Sequence, residues 1–367
     1  MTKTIATAEP SGSDGRAVTA IRFGGTLLIL AAGLFASIIW SITLGPVNIG
    51  VDTIWRVLFH GIFGTSDPET ADLLASPRAE IIWNIRFPRV LMAAVVGAGL
   101  ALCGTVMQAV VRNPLANPYI LGISSGAAFG ATLSIILGTF GIFGLYGLSF
   151  GAFAGAMLAS VLVFSIAFSG EGSGNTVKLL LAGMAISAVF GAFTSLVIYL
   201  APDSEGIRSV AFWTMGGLTA SSWTLLPIPA ICVGVGLLIF LTQLRALNAL
   251  LLGDETALTL GVDAVFLRKL YLLLVSAITG ALVAVSGTIG FVGLIIPHVA
   301  RMFFGVDHRK VVILSALLGA IFLIWCDVVA RLILGNQEMP IGIITAVLGG
   351  PFFIWLLLTK SYGFGER

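Results

Sequence analysis

The sequence predicts an all-α, polytopic membrane protein with about ten transmembrane helices, and three observations carry that prediction. Of its 367 residues 58% are hydrophobic and only 10% charged, against about 25% charge in soluble domains. The mean hydropathy is +1.07. The charges are also clustered, leaving uncharged runs at 23–51, 90–111, 113–170, 179–202, 209–244, 270–300 and 339–359. Each run is long enough for at least one spanning helix of about 20 residues.

Residues 1–22, rich in Thr, Ser, Ala and Gly, are expected to form a disordered cytoplasmic tail. The apolar segment behind them exceeds the core of about 7–15 residues found in a signal peptide, so it reads as a retained helix. One membrane domain then covers 23–358. Dividing its runs at Gly, Pro and Asn gives helices at 23–44, 90–111, 119–138, 142–168, 179–200, 222–243, 270–288, 289–304, 311–334 and 341–358. Residues 244–268 form a cytoplasmic loop and 359–367 a cytoplasmic C-terminal tail.

Ten crossings put both termini on one side. If that side is the cytoplasm, 13 of the 19 Lys and Arg residues lie inside, including all five Lys, in keeping with the bias of basic residues toward cytoplasmic loops. Span 289–304 is short and contains Pro297 and His298; a re-entrant course there would place the termini on opposite sides. At an offset of 183 residues, Gly97, Ala101, Gly104, Thr105 and Pro114 meet Gly280, Ala284, Gly287, Thr288 and Pro297. The two segments would run in opposite directions, the pattern of an inverted internal repeat.

Several function classes drop out. A net charge of +2, spread along the chain, is no footprint for nucleic acid. Cys103, Cys232 and Cys326 are odd in number and sit in apolar runs, so they read as buried free thiols. His60, His298 and His308 lack the spacing of a metal site, and no haem or metal ligand is assigned. None of the five Lys residues follows Gly, so the chain has no phosphate-binding Gly-Lys-[Ser/Thr] loop with which to hydrolyse ATP.

The clearest ionisable group inside a span is Asp327, four residues before Arg331. At that spacing the two form an intrahelical ion pair; the competing reading is a proton relay. Between the sixth and seventh spans, RALNALLLGDETALTLGVDAVFLR is longer than a turn requires. Its apolar residues flank Gly253-Asp254-Glu255-Thr256, which suits either an amphipathic segment on the membrane surface or a docking knob for a cytoplasmic partner. On the opposite side Arg86 and Arg89 stand at the mouth of the second span and Arg331 near the outer end of the ninth. Such arginines snorkel to lipid headgroups, or offer planar donors to the carboxylates of an acidic external partner.

The segment RFPRVLMAAVVGAGLALCGTVMQAVVRNPLANPYILGISSGAAFGA, with SGTIGFVGLIIPHVARMFFGVDHR and DVVARLILGNQEMPIGIITAVLGGPFFIWLLL, closely resembles the FecCD-type permeases of iron-siderophore, haem and cobalamin importers, among them the vitamin B12 permease. FWTMGGLTASSW and GDETALTLGV match as well, and together these segments reach over 23–358. The resemblance implies the transmembrane subunit of a type II ATP-binding-cassette importer, not itself an enzyme, in the cytoplasmic membrane. Its implied partners are a second permease subunit, identical or paralogous, two cytoplasmic ATPases and an extracytoplasmic substrate-binding protein. This chain would bind no cofactor, and the ATPases would use ATP and Mg. Residues Gly253, Asp254, Glu255, Thr256, Ala257, Leu260 and Gly261 would couple to the ATPase, and Arg86, Arg89 and Arg331 would dock the binding protein. The fifth helix would line the path, with Gly183, Met184, Ser187, Gly191 and Thr194 as lining residues. The expected cargo is an iron(III)-siderophore complex, with haem or cobalamin as alternatives and an ion-driven carrier as the competing class. The chain departs from shorter family members in its N-terminal tail and in the external segment 45–85, where a surface helix or docking element is expected.

Overall fold

In the computed structural model residues 13–45, 49–64, 76–170, 174–335 and 337–359 are described, with side chains from residue 21 onward. Besides two short 3-10 turns (Pro118–Leu121 and Gly141–Tyr146), these residues form fourteen α-helices and no strands. They are α1 (Ser13–Thr43), α2 (Val51–Phe63), α3 (Pro77–Val111, whose Ile81–Arg86 turn is π-helical), α4 (Ile123–Leu137), α5 (Gly147–Ala167), α6 (Thr176–Tyr199) and α7 (Ser204–Met215). The second half holds α8 (Pro227–Thr242), α9 (Leu244–Leu251), α10 (Asp254–Thr259), α11 (Ala264–Ser286), α12 (Val292–Phe304), α13 (His308–Leu332) and α14 (Ile341–Thr359).

Every segment predicted to span contains a helix. Seven helices are long and apolar enough to cross a membrane, and α8 with α9 makes an eighth if that pair, bent by 68°, is one span. The two short apolar helices are α4 and α12. The α1 helix begins at Ser13, so the tail expected over 1–22 is helical from that point, while residues 1–12 and 360–367 lie outside the described residues. Two helices were not foreseen by span counting. One is α7, with Asp203 capping its N-terminus through Gly206 N at 2.7 Å; the other is α9, which falls inside the loop expected from residue 244. The expected surface helix of the external segment is α2; Asp67, Glu69 and Asp72 of that segment lie outside the described residues.

The centre of the bundle is α3, wrapped by α11, α12 and α13. With no hydrophobic drive between apolar helices in lipid, close packing of small residues holds them together. A Cβ on Gly104 would fall 1.8 Å from the Gly293 carbonyl oxygen, and one on Gly97 would fall 2.1 Å from that of Gly319. The α4 and α5 backbones touch in the same way through Gly126 with Gly155 and Gly130 with Gly151. By contrast α1, α6 and α14 show most of their surface outside the bundle. Of the five pairs of the 183-residue repeat, Gly97 with Gly280 and Ala101 with Ala284 are helical in both halves, in α3 and α11, while the other three differ. Gly104 and Thr105 are mid-helix in α3, whereas Gly287 and Thr288 form the break after α11; Pro114 is in a loop, whereas Pro297 is inside α12.

Candidate functional site: a coupling knob and an outer charge cluster

At the end of the bundle carrying the 244–268 segment, α10 forms a one-and-a-half-turn knob. Gly253 enters it at φ +102° and Gly261 leaves it at φ +77°, backbone states that a side chain would strain. Ala257 is fully buried beneath the knob, and its carbonyl accepts from Val262 N at 2.9 Å, closing the turn. Leu258 and Leu260 point away from the protein, 70% and 60% exposed. Asp254 ties the knob to the spans: its carboxylate lies 2.8 Å from Arg268 Nη2 on α11 and 3.6 Å from Arg112 Nη2 at the end of α3. Arg268 also donates to the Val110 and Gly174 carbonyls, so one buried guanidinium joins α3, α5's following turn and α10.

Beside it, Asn248 of α9 donates to Asp307 Oδ1 at 2.8 Å, and its own carbonyl accepts from His308 N at 3.0 Å. Asp307 caps α13 through Arg309 N. Burial pushes the Asp307 carboxyl up, but the hydrogen bonds from Arg309 N and Asn248, with the charges of Arg309 and Lys310, outweigh it and hold the carboxyl below its ordinary value.

At the opposite end, Arg86, Arg89 and Arg331 do not stand at the surface. All three are buried, at 5%, 7% and 5% exposure, which corrects the expectation of open donors awaiting a partner. A helix ends with carbonyls that lack intrahelical partners, and here two arginines supply them for α1. Arg86 Nη1 donates to Ile42 O at 2.6 Å; Arg331 donates to Leu44 O at 3.0 Å and to Ser41 O at 3.2 Å. The Asp327–Arg331 pair expected within one helix is present at 3.0 Å, but it is one half of a larger cluster. Arg89 Nε lies 2.9 Å from the other Asp327 oxygen, and Arg89 Nη1 lies 2.9 Å from both oxygens of Glu338. Glu338 also accepts from Thr219 Oγ1 at 3.2 Å. Sequence reading missed Glu338, since it stands in a loop without a helical partner spacing.

Next to this cluster opens a cavity of about 930 Å³. Its walls come from the end of α7, the 216–225 loop, the end of α11 and the start of α14. The walls are pinned where α7 meets α11: Gly217 N donates to Ser286 O at 2.8 Å, Thr288 Oγ1 donates to Thr214 O, and Gly287, at φ +64°, lies so close to Trp213 O that a Cβ would fall 2.1 Å from it. Trp223 Nε1 donates to Trp83 O at 2.8 Å, stacking the 216–225 loop on the π-helical start of α3.

The lining residues expected on the fifth helix, here α6, divide. Met184 and Gly191 are exposed and Ser187 and Thr194 half-buried, whereas Gly183 faces inward. A Cβ on Gly183 would fall 1.8 Å from Ile120 O, so this glycine packs the helix against the backbone at Ile120. None of the five borders the cavity, which uses the FWTMGGLTASSW motif instead.

Residues 33–359 match the model of the FecCD transport family. The chain is 42% identical over 305 residues to the hemin transport system permease protein HmuU of Yersinia pestis, covering 82% of this chain and 86% of that one. It is 36% identical over 307 residues to the iron(3+)-hydroxamate import system permease protein FhuB of Bacillus subtilis, covering 83% and 76%. A solved structure described as an inward-facing conformation of a putative metal-chelate type ABC transporter superposes with a TM-score of 0.78 at 35% identity, covering 92% of this chain and all of that one.

Proposed function

Since the chain belongs to the FecCD transport family, and is thereby a multi-pass, non-enzymatic permease subunit of an ABC importer, we propose that its cargo is an iron(III)-siderophore complex. The observation that carries the mechanism is the knob of α10, with two exposed leucines outside and an Asp254–Arg268 tie inside. In this reading two cytoplasmic ATPases, which bind ATP and Mg, close on ATP and push the knobs of two permease subunits. Gly253, Asp254, Glu255, Thr256, Ala257, Leu260 and Gly261 form the seat. The push passes through Arg268 and Arg112 to α11 and α3 and changes which of two bundle packings is favoured. Both termini lie in the cytoplasm.

An extracytoplasmic binding protein delivers the chelate to the outer end. There Arg86, Arg89 and Arg331 shape the docking rim by fixing the end of α1 and the position of Glu338. Met184, Ser187, Gly191 and Thr194 of α6 face the second subunit and the path between the two.

Haem is the second reading, favoured by the identity to a permease named for hemin transport; cobalamin fits the same scaffold. An ion-driven carrier needs a carboxylate free to exchange protons, and Asp327 sits between two guanidiniums. The test is ATPase activity of the permease co-purified with its ATPase and reconstituted in lipid, with binding protein loaded in turn with ferric siderophore, haem or cobalamin. Stimulation by the siderophore-loaded protein supports the proposal. Stimulation by another cargo alone reassigns the substrate, and accumulation driven by an ion gradient without ATPase overturns the importer.

A further inference from the structure

The outer cavity has a mostly apolar wall with several Ser and Thr residues in it, and among its described lining residues only Arg89 and Glu338 carry charge. The pair is not symmetric. Arg89 is anchored from behind by Asp327, while the Glu338 side chain is 43% exposed. Arg86, Arg89 and Arg331 bring three buried positive charges against the two carboxylates of Asp327 and Glu338; without Glu338 the positive excess grows, and it faces the cavity at Arg89. A neutral solute that displaced Glu338 would leave that added charge uncompensated, which is costly, whereas an incoming carboxylate would replace both the lost charge and the hydrogen bonds.

We infer that Arg89 and Glu338 form a carboxylate-exchange site, in which a free carboxylate of the solute takes the place of Glu338 on Arg89 while the apolar body of the solute lies against the Phe212 and Trp213 side of the cavity. The chemical class is a metal chelate or macrocycle that has an apolar body and at least one free carboxylate. This narrows the proposed cargo and rests on the importer reading only for the direction in which the solute travels. Glu338 acts as the built-in competitor, and its loss tightens binding.

The test uses the full chain in lipid nanodiscs, titrated with haem, with haem dimethyl ester and with ferric aerobactin, a siderophore whose two lysine carboxylates do not bind the iron. Glu338→Gln is expected to bind haem or ferric aerobactin about tenfold tighter, the factor that about 1.4 kcal/mol confers, with the dimethyl ester unchanged. Whichever free-carboxylate probe responds names the source. No gain for either free-carboxylate probe in Glu338→Gln overturns the site. If that variant fails to fold, the wild-type chain decides alone, and the site is overturned when it neither prefers haem to its dimethyl ester nor binds ferric aerobactin. ATP-driven uptake is measured separately, so loss of transport with selective binding intact would sink the importer reading and leave the site standing.

Discussion

Asp327 is held by two arginines in a place with almost no water, and removing one member of such a cluster costs about 3–5 kcal/mol because the other charges stay behind. Asp327→Asn is therefore expected to lower folded yield and thermal stability in detergent more than it lowers ATP-coupled transport in the fraction that folds. Fluorescence-detected gel filtration after heating checks this. The pairing of Asp327 with Arg331 was legible from a four-residue spacing, but the shares of Arg89 and Glu338 were not, because they lie 238 and 11 residues from Asp327 along the chain. Asp307 makes a pH-dependent contribution. Its folded carboxyl is held below the ordinary value, so its stabilisation is present above the carboxylate range and is lost as pH falls through it. Asp307→Asn keeps an N-cap acceptor of equal rank and is expected to cost about 0.3–1 kcal/mol at neutral pH, from the charge lost at the helix N-terminus. The gap between the two proteins should close as the pH falls through the lowered carboxyl's range, where both caps become uncharged; a gap that persists once the carboxyl is protonated would refute the assignment.

Among the elements, α10 and the glycine seams make opposite demands on substitution. Asp254→Asn loosens the knob from Arg268 and Arg112, and is expected to reduce ATPase stimulation by loaded binding protein several-fold while leaving the melting temperature nearly unchanged. Gly104→Ala should do the reverse. Its Cβ has no room against the Gly293 carbonyl, and overpacking of this kind costs about 1–3 kcal/mol. Gly191→Ala, with nothing within 4 Å, is expected to be neutral or to add up to about 1 kcal/mol. Thermal melts of the three variants separate the predictions. The apolar runs marked nearly every long helix in advance, since a membrane imposes one dominant pattern on sequence. It was the breaks that stayed hidden. The 68° turn at Gln243 and the whole of α7 follow from tertiary contacts and a polar cap at Asp203, neither of which leaves a periodic signature.

At the scale of the whole molecule, the excess of basic residues at one end predicts the orientation, and cysteine labelling tests it. On a background lacking the three native cysteines, Lys310→Cys is expected to react with a membrane-impermeant maleimide only after the bilayer is opened, and Arg208→Cys in intact cells. Labelling in the reverse order would invert the protein and place the α10 knob out of reach of any ATPase. The grip of Arg86 and Arg331 on the end of α1 has a consequence for biogenesis. Arg86 can reach Ile42 O early, but the Ser41 and Leu44 carbonyls are answered by a side chain made 287 residues after Leu44, and until then they have only water or headgroups. A ribosome stalled before residue 331 would leave α1 inserted but half-clasped. The finished protein would then differ from its truncated precursors in how readily a quality-control protease can extract its first helix.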